Sequence, residues 1–223
     1  MTRNELARYI DHTALRPETT DDQVIRLCTE AHQYGFAAVC VMPYYIPLAA
    51  RILKELNSGV TLCAAIGFPN GAHTTLVKVT EAQRAMHDGA RELDMVINVG
   101  SLISGHDHLV ASDIRAVAET AHEQGGIVKV IIETSLLNDA QKRQACELAS
   151  RTDADFVKTS TGFSGGGATV EDIRLMREAS SPAMKIKASG GIRDYATAVA
   201  MIEAGAARIG TSNGVAIIEG ATA

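Results

Sequence analysis

The chain has 223 residues, 46% of them hydrophobic and 21% charged, with a formal net charge of −5. That balance predicts a globular protein with ample core and opposes a general role on nucleic acid or on a membrane surface. Aromatic residues make up only 4% and Trp is absent, so stacking platforms for single-stranded nucleic acid are poorly supplied.

Short β-branched runs alternate with longer amphipathic segments along the whole chain. A weak strand near Tyr9–Asp11 precedes a helix over Asp21–Tyr34. Strands at Phe36–Met42, Val60–Ile66 and Leu93–Asn98 lead to helices at Tyr44–Leu56, Thr74–Asp88 and Asp107–Glu123. The last of these carries a helical stripe of Leu109, Ile114, Val117, Ala118 and Ala121. Strands at Ile127–Glu133, Asp155–Thr159, Met184–Ala188 and Ala207–Gly210 follow, with helices at Asp139–Ser150, Val170–Ala179 and Asp194–Ala204 between them. Thr169 and Asp194 stand at helix starts, and Gly35, Gly89, Gly125 and Gly205 stand just past helix ends.

Eight strand–helix repeats in this length predict an α/β fold, a single (β/α)₈ TIM barrel over residues 1–223. An open doubly wound sheet is the alternative, but no Gly-x-Gly-x-x-Gly turn follows the first strand. The four cysteines (Cys28, Cys40, Cys63, Cys146) form no Cys-x-x-Cys pair. The charged start Met1–Arg8 lacks the apolar stretch of a signal peptide, and no run of about 18 apolar residues occurs. A reduced, cytoplasmic protein is expected.

In such a barrel, chemistry sits at the C-terminal ends of the strands. Two lysines fall there, Lys158 in Phe-Val-Lys-Thr-Ser and Lys187 in Lys-Ile-Lys-Ala-Ser, on neighbouring strands six and seven. Two ammonium groups at close range repel, which lowers the pKa of at least one, and a neutral amine is a nucleophile toward carbonyls. Strand ends reaching solvent are the plainer reading of either lysine alone. Asp94, inside Leu-Asp-Met-Val-Ile-Asn, reads equally as a proton shuttle or as a salt-bridge partner of Lys129 or Lys187. Glu92 is expected to satisfy the barrel floor, and Lys185 to snorkel to solvent.

Three glycine-rich strand ends come late: Ser160–Gly167, Ser189–Gly191 and Gly210–Gly214. Glycines let backbone N–H groups approach an anion, and barrel phosphate sites commonly follow strands seven and eight. Together with Arg193 they predict a phosphorylated small metabolite as ligand. The binding residues expected are Thr13, Cys40, Thr159, Gly162, Gly190, Gly191, Arg193, Gly210 and Ser212. Cys40 reads more simply as a buried thiol. His106 and His108 read as a solvated helix start, so no metal and no cofactor is expected.

The segments Asp11-His12-Thr13, Gly67-Phe68-Pro69-Asn70-Gly71, Glu92-Leu93-Asp94-Met95-Val96, Lys129–Thr134, Lys158-Thr159-Ser160-Thr161-Gly162 and Lys187–Arg193 together resemble the deoxyribose-phosphate aldolases. The resemblance runs from residue 11 to about residue 214, nearly the whole chain. It implies a metal-free, Schiff-base-forming aldolase that reversibly cleaves 2-deoxy-D-ribose 5-phosphate to acetaldehyde and D-glyceraldehyde 3-phosphate. It further implies Lys158 as the Schiff-base lysine, Lys187 as the lysine that perturbs it, and Asp94 as the carboxylate of the proton relay. Phe163 stands where some members carry a lysine, and the chain ends at Ala223 without their C-terminal tyrosine.

A catalytically silent sugar-phosphate-binding barrel and a sugar-phosphate isomerase are the competing readings. A homodimer or tetramer would be ordinary for such a barrel, with no nucleic-acid or membrane partner.

Overall fold

Each apolar run is too short for a stable helix and rich in β-branched residues, so it folds as a strand buried on both faces. The computed structural model describes residues 1–221; the last two residues of the expected 1–223 unit lie outside the described residues. Its strands are β1 (Ile10–Ala14), β2 (Ala38–Val41), β3 (Thr61–Ile66), β4 (Glu92–Val96), β5 (Ile127–Ile131), β6 (Phe156–Lys158), β7 (Lys185–Ser189) and β8 (Arg208–Thr211). They pair in parallel, in chain order, and β8 returns to β1. Closure excludes the open doubly wound sheet and meets the barrel expectation.

Period-two alternation then sorts the side chains. Val39, Leu62, Leu93, Val130, Val157, Ile186 and Ile209 point outward and pack with the helices into one core. The inward set is unusual for a barrel, whose interior is commonly filled by branched apolar residues. On the side of β2 to β5, Cys40, Cys63, Ala65, Val96 and Ile131 do form an apolar cluster. Below and beside it, Asp11, Glu92, Asp94, Lys129, Lys158 and Lys187 are all buried.

Most helices fall where periodicity put them, and the departures have local causes. Tyr44–Leu56 splits into a 3₁₀ turn at Pro43–Tyr45 and a helix at Ile46–Glu55, because Pro47 fits only the first turn of an α-helix. Leu109 leaves the predicted stripe and is 50% exposed, while Val110 takes its place below Ile114. Val110, Ile114 and Val117 follow the i, i+4, i+7 spacing that Leu109 breaks. β1 begins and ends later than expected, which sets Asp11 inside the barrel and Thr13 nearer its mouth. β4 stops at Val96 because Asn98 caps a short helix at Val99–Ile103, accepting from the Ser101 N–H at 3.0 Å. That helix, Arg3–Ala7 and Gly214–Glu219 were not expected. Among the described residues no helix is long and apolar enough to cross a membrane.

Candidate active site

Strand register brings the two lysines together: Lys158 pairs with Lys187 across β6 and β7, and Asp94 pairs with Lys129 across β4 and β5. Lys158 and Lys187 both donate to Oδ2 of Asp94 at 2.7 Å. Lys129 donates to Oδ1 of the same carboxylate at 2.9 Å and meets Glu92 at 2.6 Å. Lys187 also donates to Asp11. Asp11 and Glu92 are joined in turn by Arg208, through Nε and Nη2 at 2.6 Å each. Asp94 is thus both proton-path candidate and salt-bridge partner; the two readings left open by the sequence describe one carboxylate.

Burial and charge act against each other on every member. Burial would raise the Asp94 carboxyl, but Lys129, Lys158 and Lys187 hold it well below the usual carboxylate range. Burial likewise opposes Lys187, yet Asp11 and Asp94 push it above the ordinary lysine range. Lys187 is therefore the held cation of the pair, consistent with two carboxylate contacts against one for Lys158.

Above this network opens a cavity of about 690 Å³. Lys158 reaches its wall, with Thr13, Gly162, Gly190, Gly191, Arg193, Gly210 and Ser212. Lys187 and Asp94 lie one layer beneath, touching the cavity only through Lys158. Two expected binding residues do not reach it. Thr159 is fully buried and staples β6 to β7, donating to the Ser189 carbonyl at 2.9 Å and accepting from the Ser189 N–H at 3.0 Å. Cys40 is fully buried, with its sulfur 3.9 Å from Asp94 Oδ2; an inward position halfway up β2 sits below the cavity. Arg16 and Arg26 line the cavity and were not expected; they come from the segment after β1, where the sequence carried no glycine signal.

The glycine loops close against one another. Ala168 N–H donates to the Gly190 carbonyl at 3.0 Å, and a Cβ on Gly167 would fall 2.4 Å from that oxygen. Gly190 and Gly191 both adopt positive φ, at 89° and 78°, a region L side chains rarely enter. Glu133, just past β5, holds the loop after β6 from below. Its carboxylate accepts from the Thr161 N–H at 3.2 Å, the Thr161 hydroxyl and the Ser164 hydroxyl at 3.1 Å. Glu133 does this from a left-handed backbone, φ 55°, strain a non-glycine residue keeps only when its contacts demand it. Nothing in Ile-Ile-Glu-Thr signalled that role. Phe163 is 45% exposed and stands edge-on to Phe68 at 5.3 Å, an aromatic rim in place of a cation.

His106 and His108 are exposed at the start of the Asp107–His122 helix. Cys40, Cys63 and Asp94 place three donor atoms within 4.8 Å of one another. Lys129 Nζ lies 2.9 Å from Asp94 and 3.4 Å from the Cys63 sulfur, so an ammonium already fills the position a cation would take. Burial pushes the Cys63 thiol well above the usual range, which opposes the thiolate a metal needs. Lys185 is exposed at the start of β7, as expected of a snorkelling lysine, with Nζ 5.5 Å from the Phe156 ring centroid.

A closed parallel barrel with a lysine at the cavity and its charge partners below is the arrangement expected of a barrel enzyme that acts on a small carbonyl compound. The profile described as DeoC/LacD family aldolase matches residues 6–220, and the chain belongs to that family. A relative from Thermococcus gammatolerans named deoxyribose-phosphate aldolase is 58% identical over 221 residues, covering 99% of this chain and 98% of its own. Deoxyribose-phosphate aldolase 1 of Bacillus licheniformis is 57% identical over 219 residues, covering 98% and 97%. The solved tetrameric deoxyribose phosphate aldolase of Aeropyrum pernix superposes with a TM-score of 0.91 at 36% identity, covering 98% of this chain and 91% of that one.

Proposed function

We propose that this aldolase reversibly cleaves 2-deoxy-D-ribose 5-phosphate to D-glyceraldehyde 3-phosphate and acetaldehyde, with Lys158 as the nucleophile. The observation that carries the assignment is positional: Lys158 alone of the buried lysines lines the cavity, while Asp94 beneath it contacts both Lys158 and Lys187. Relatives named for this activity and matching nearly end to end support the substrate.

The neutral amine of Lys158 attacks C1 of the open-chain sugar, and loss of water from the carbinolamine gives an iminium. The C3 hydroxyl loses its proton, the C2–C3 electron pair moves into the iminium, and glyceraldehyde 3-phosphate leaves. The remaining enamine takes a proton at carbon, and water releases acetaldehyde and regenerates the amine. Asp94 Oδ2 offers the path by which a proton passes between Lys158 and Lys187, and its ionised state stabilises the iminium. The glycine loops with Arg193 and Ser212 hold the 5-phosphate and so set C1 against the amine. Thr13, Gly162 and Gly210 shape the rest of the cavity.

Borohydride reduction with acetaldehyde, followed by peptide mapping, tests the reading. One ethyl group on Lys158 is expected. No adduct sinks it, and a silent binder or an isomerase would give none. We also infer a homo-oligomer, on the tetrameric relative and on the exposed apolar side chains of Tyr44, Leu76 and Ile103; light scattering on the eluting protein gives its size.

A further inference from the structure

Six of the charged groups inside the barrel close a ring in which the signs alternate. Arg208 meets Asp11 at 2.6 Å, Asp11 meets Lys187, and Lys187 meets Asp94 at 2.7 Å. Asp94 meets Lys129 at 2.9 Å, Lys129 meets Glu92 at 2.6 Å, and Glu92 returns to Arg208 at 2.6 Å. Three cations and three carboxylates cancel. Lys158 hangs outside the ring, attached at 2.7 Å to Asp94. When Lys158 is protonated, this buried set carries one uncompensated positive charge; when it is neutral, the set carries none. In a water-poor interior a change in the ring's total charge is felt at Lys158 with little screening.

Two ring members are far from the chemistry. Glu92 and Arg208 are the first residues of β4 and β8, at the end of the barrel opposite the cavity. Neither lines the cavity. Arg208 uses two separate nitrogens of its planar fork, Nε to Asp11 and Nη2 to Glu92. We propose that Arg208 and Glu92 are positioning residues that set, from the barrel floor, how readily Lys158 releases its proton, by closing a ring of zero net charge beneath it. This rests on the Schiff-base reading and adds to it the charge balance that selects Lys158.

Lys158 contacts Asp94 from β4, which also holds Lys187 from β7 and Lys129 from β5, with the Cys40 thiol from β2 beside them; His12, Arg16, Glu18, Arg26, Glu30 and Arg193 share its cavity, and Glu133 is buried just past β5. The Cys63 thiol from β3 contacts Asp94 and Lys129. Neither Arg208 nor Glu92 contacts Lys158: Arg208 meets Asp11 and Glu92, and Glu92 meets Lys129 and Arg208.

The test measures the rate at which acetaldehyde is trapped on the enzyme by cyanoborohydride as a function of pH, which avoids any titrating phosphate on the substrate. Arg208→Met leaves the ring with an excess carboxylate, so Lys158 keeps its proton longer and the acid limb moves to higher pH. Glu92→Gln leaves an excess cation, and the limb moves to lower pH. Each shift is expected to be about one pH unit, the scale for a unit charge roughly 10 Å away at an effective dielectric of about 20. The double variant restores zero net charge and returns the limb to its wild-type position. A purely structural role would lower the rate at every pH without moving the limb in opposite directions. Limbs that stay put, or that move the same way in both single variants, overturn the proposal. If Arg208→Met does not fold, Glu92→Gln against the double variant carries the same comparison. Wild-type enzyme that traps no acetaldehyde sinks the Schiff-base reading and this proposal with it; normal trapping with unmoved limbs sinks this proposal alone.

Discussion

Lys158 and Lys187 share a single acceptor atom, Oδ2 of Asp94, 2.7 Å from each ammonium nitrogen. They differ in what else they touch. Lys187 also donates to Asp11, whereas Lys158 opens on the cavity. That asymmetry makes Lys187 the doubly held cation and leaves Lys158 the lysine that a ligand in the cavity can reach.

Replacing the two lysines should therefore fail in different ways. Lys158→Ala removes the nucleophile, and we expect no trapped adduct and a loss of at least about 10³-fold in kcat/KM. Lys187→Met keeps the nucleophile but leaves Asp94 and Asp11 short of a cation, so Lys158 stays protonated. A loss of about 10²- to 10³-fold at neutral pH is expected, with slow trapping on Lys158 still detectable by peptide mapping. Efficient trapping at another lysine in Lys158→Ala would refute the assignment.

The ring also fixes a pH window for stability. Burial would raise the Asp11 carboxyl, but Lys187, Lys129 and Arg208 outweigh it and hold it at about 2, against 3.8 for the free group. A lowered carboxyl contributes stability that is fully present above the unfolded value and is lost as pH falls through the folded one. The contribution is about 2 kcal/mol at neutral pH. The melting temperatures of wild type and Asp11→Asn should be well separated at pH 6 and converge between pH 4 and pH 2. A gap that stays constant over that range would contradict the assignment.

A second buried cation lies outside the barrel wall. Lys78 is fully buried, donates to the Val96 carbonyl at 2.8 Å and pairs with Asp113 at 2.5 Å. It ties the Thr75–His87 and Asp107–His122 helices to the end of β4. Lys78→Met leaves Asp113 buried without its partner and should cost about 3–5 kcal/mol, seen as a lower denaturant midpoint. Adding Asp113→Leu should recover a large part of that loss, since the paired polar cost is then removed on both sides.

Glu133 should act on substrate binding more than on the amine. Glu133→Ala frees Thr161 and Ser164, loosening the loop that borders the glycines proposed to hold the phosphate. KM for the phosphorylated sugar is expected to rise about tenfold, while trapping of acetaldehyde, which needs no phosphate anchor, stays near the wild-type rate. Equal losses in both assays would point to general misfolding of the site.

The fold was legible because its signal is local. Runs such as Val60–Ile66 and Ile127–Glu133 gave strands within two residues of those found at β3 and β5, and capping residues Thr169 and Asp194 stand where helices begin. Glu133 and Lys78 were not legible. The strained backbone of the one and the buried partner of the other depend on segments 28 and 35 residues away.

What the sequence by itself determined was the barrel, the strand-end lysines and the buried Asp94, because period-two burial and an apolar-flanked charge are written in consecutive residues. What only the tertiary structure decided was how those charges are balanced. Arg208 and Asp11 are 197 residues apart and Arg208 and Glu92 are 116 apart; each pair meets only because the barrel closes β8 onto β1 and turns its first residues inward. A charge buried in one strand must find its counterion, but which strand supplies it is a property of closure, and closure is what left Lys158, among the buried lysines, at the cavity wall.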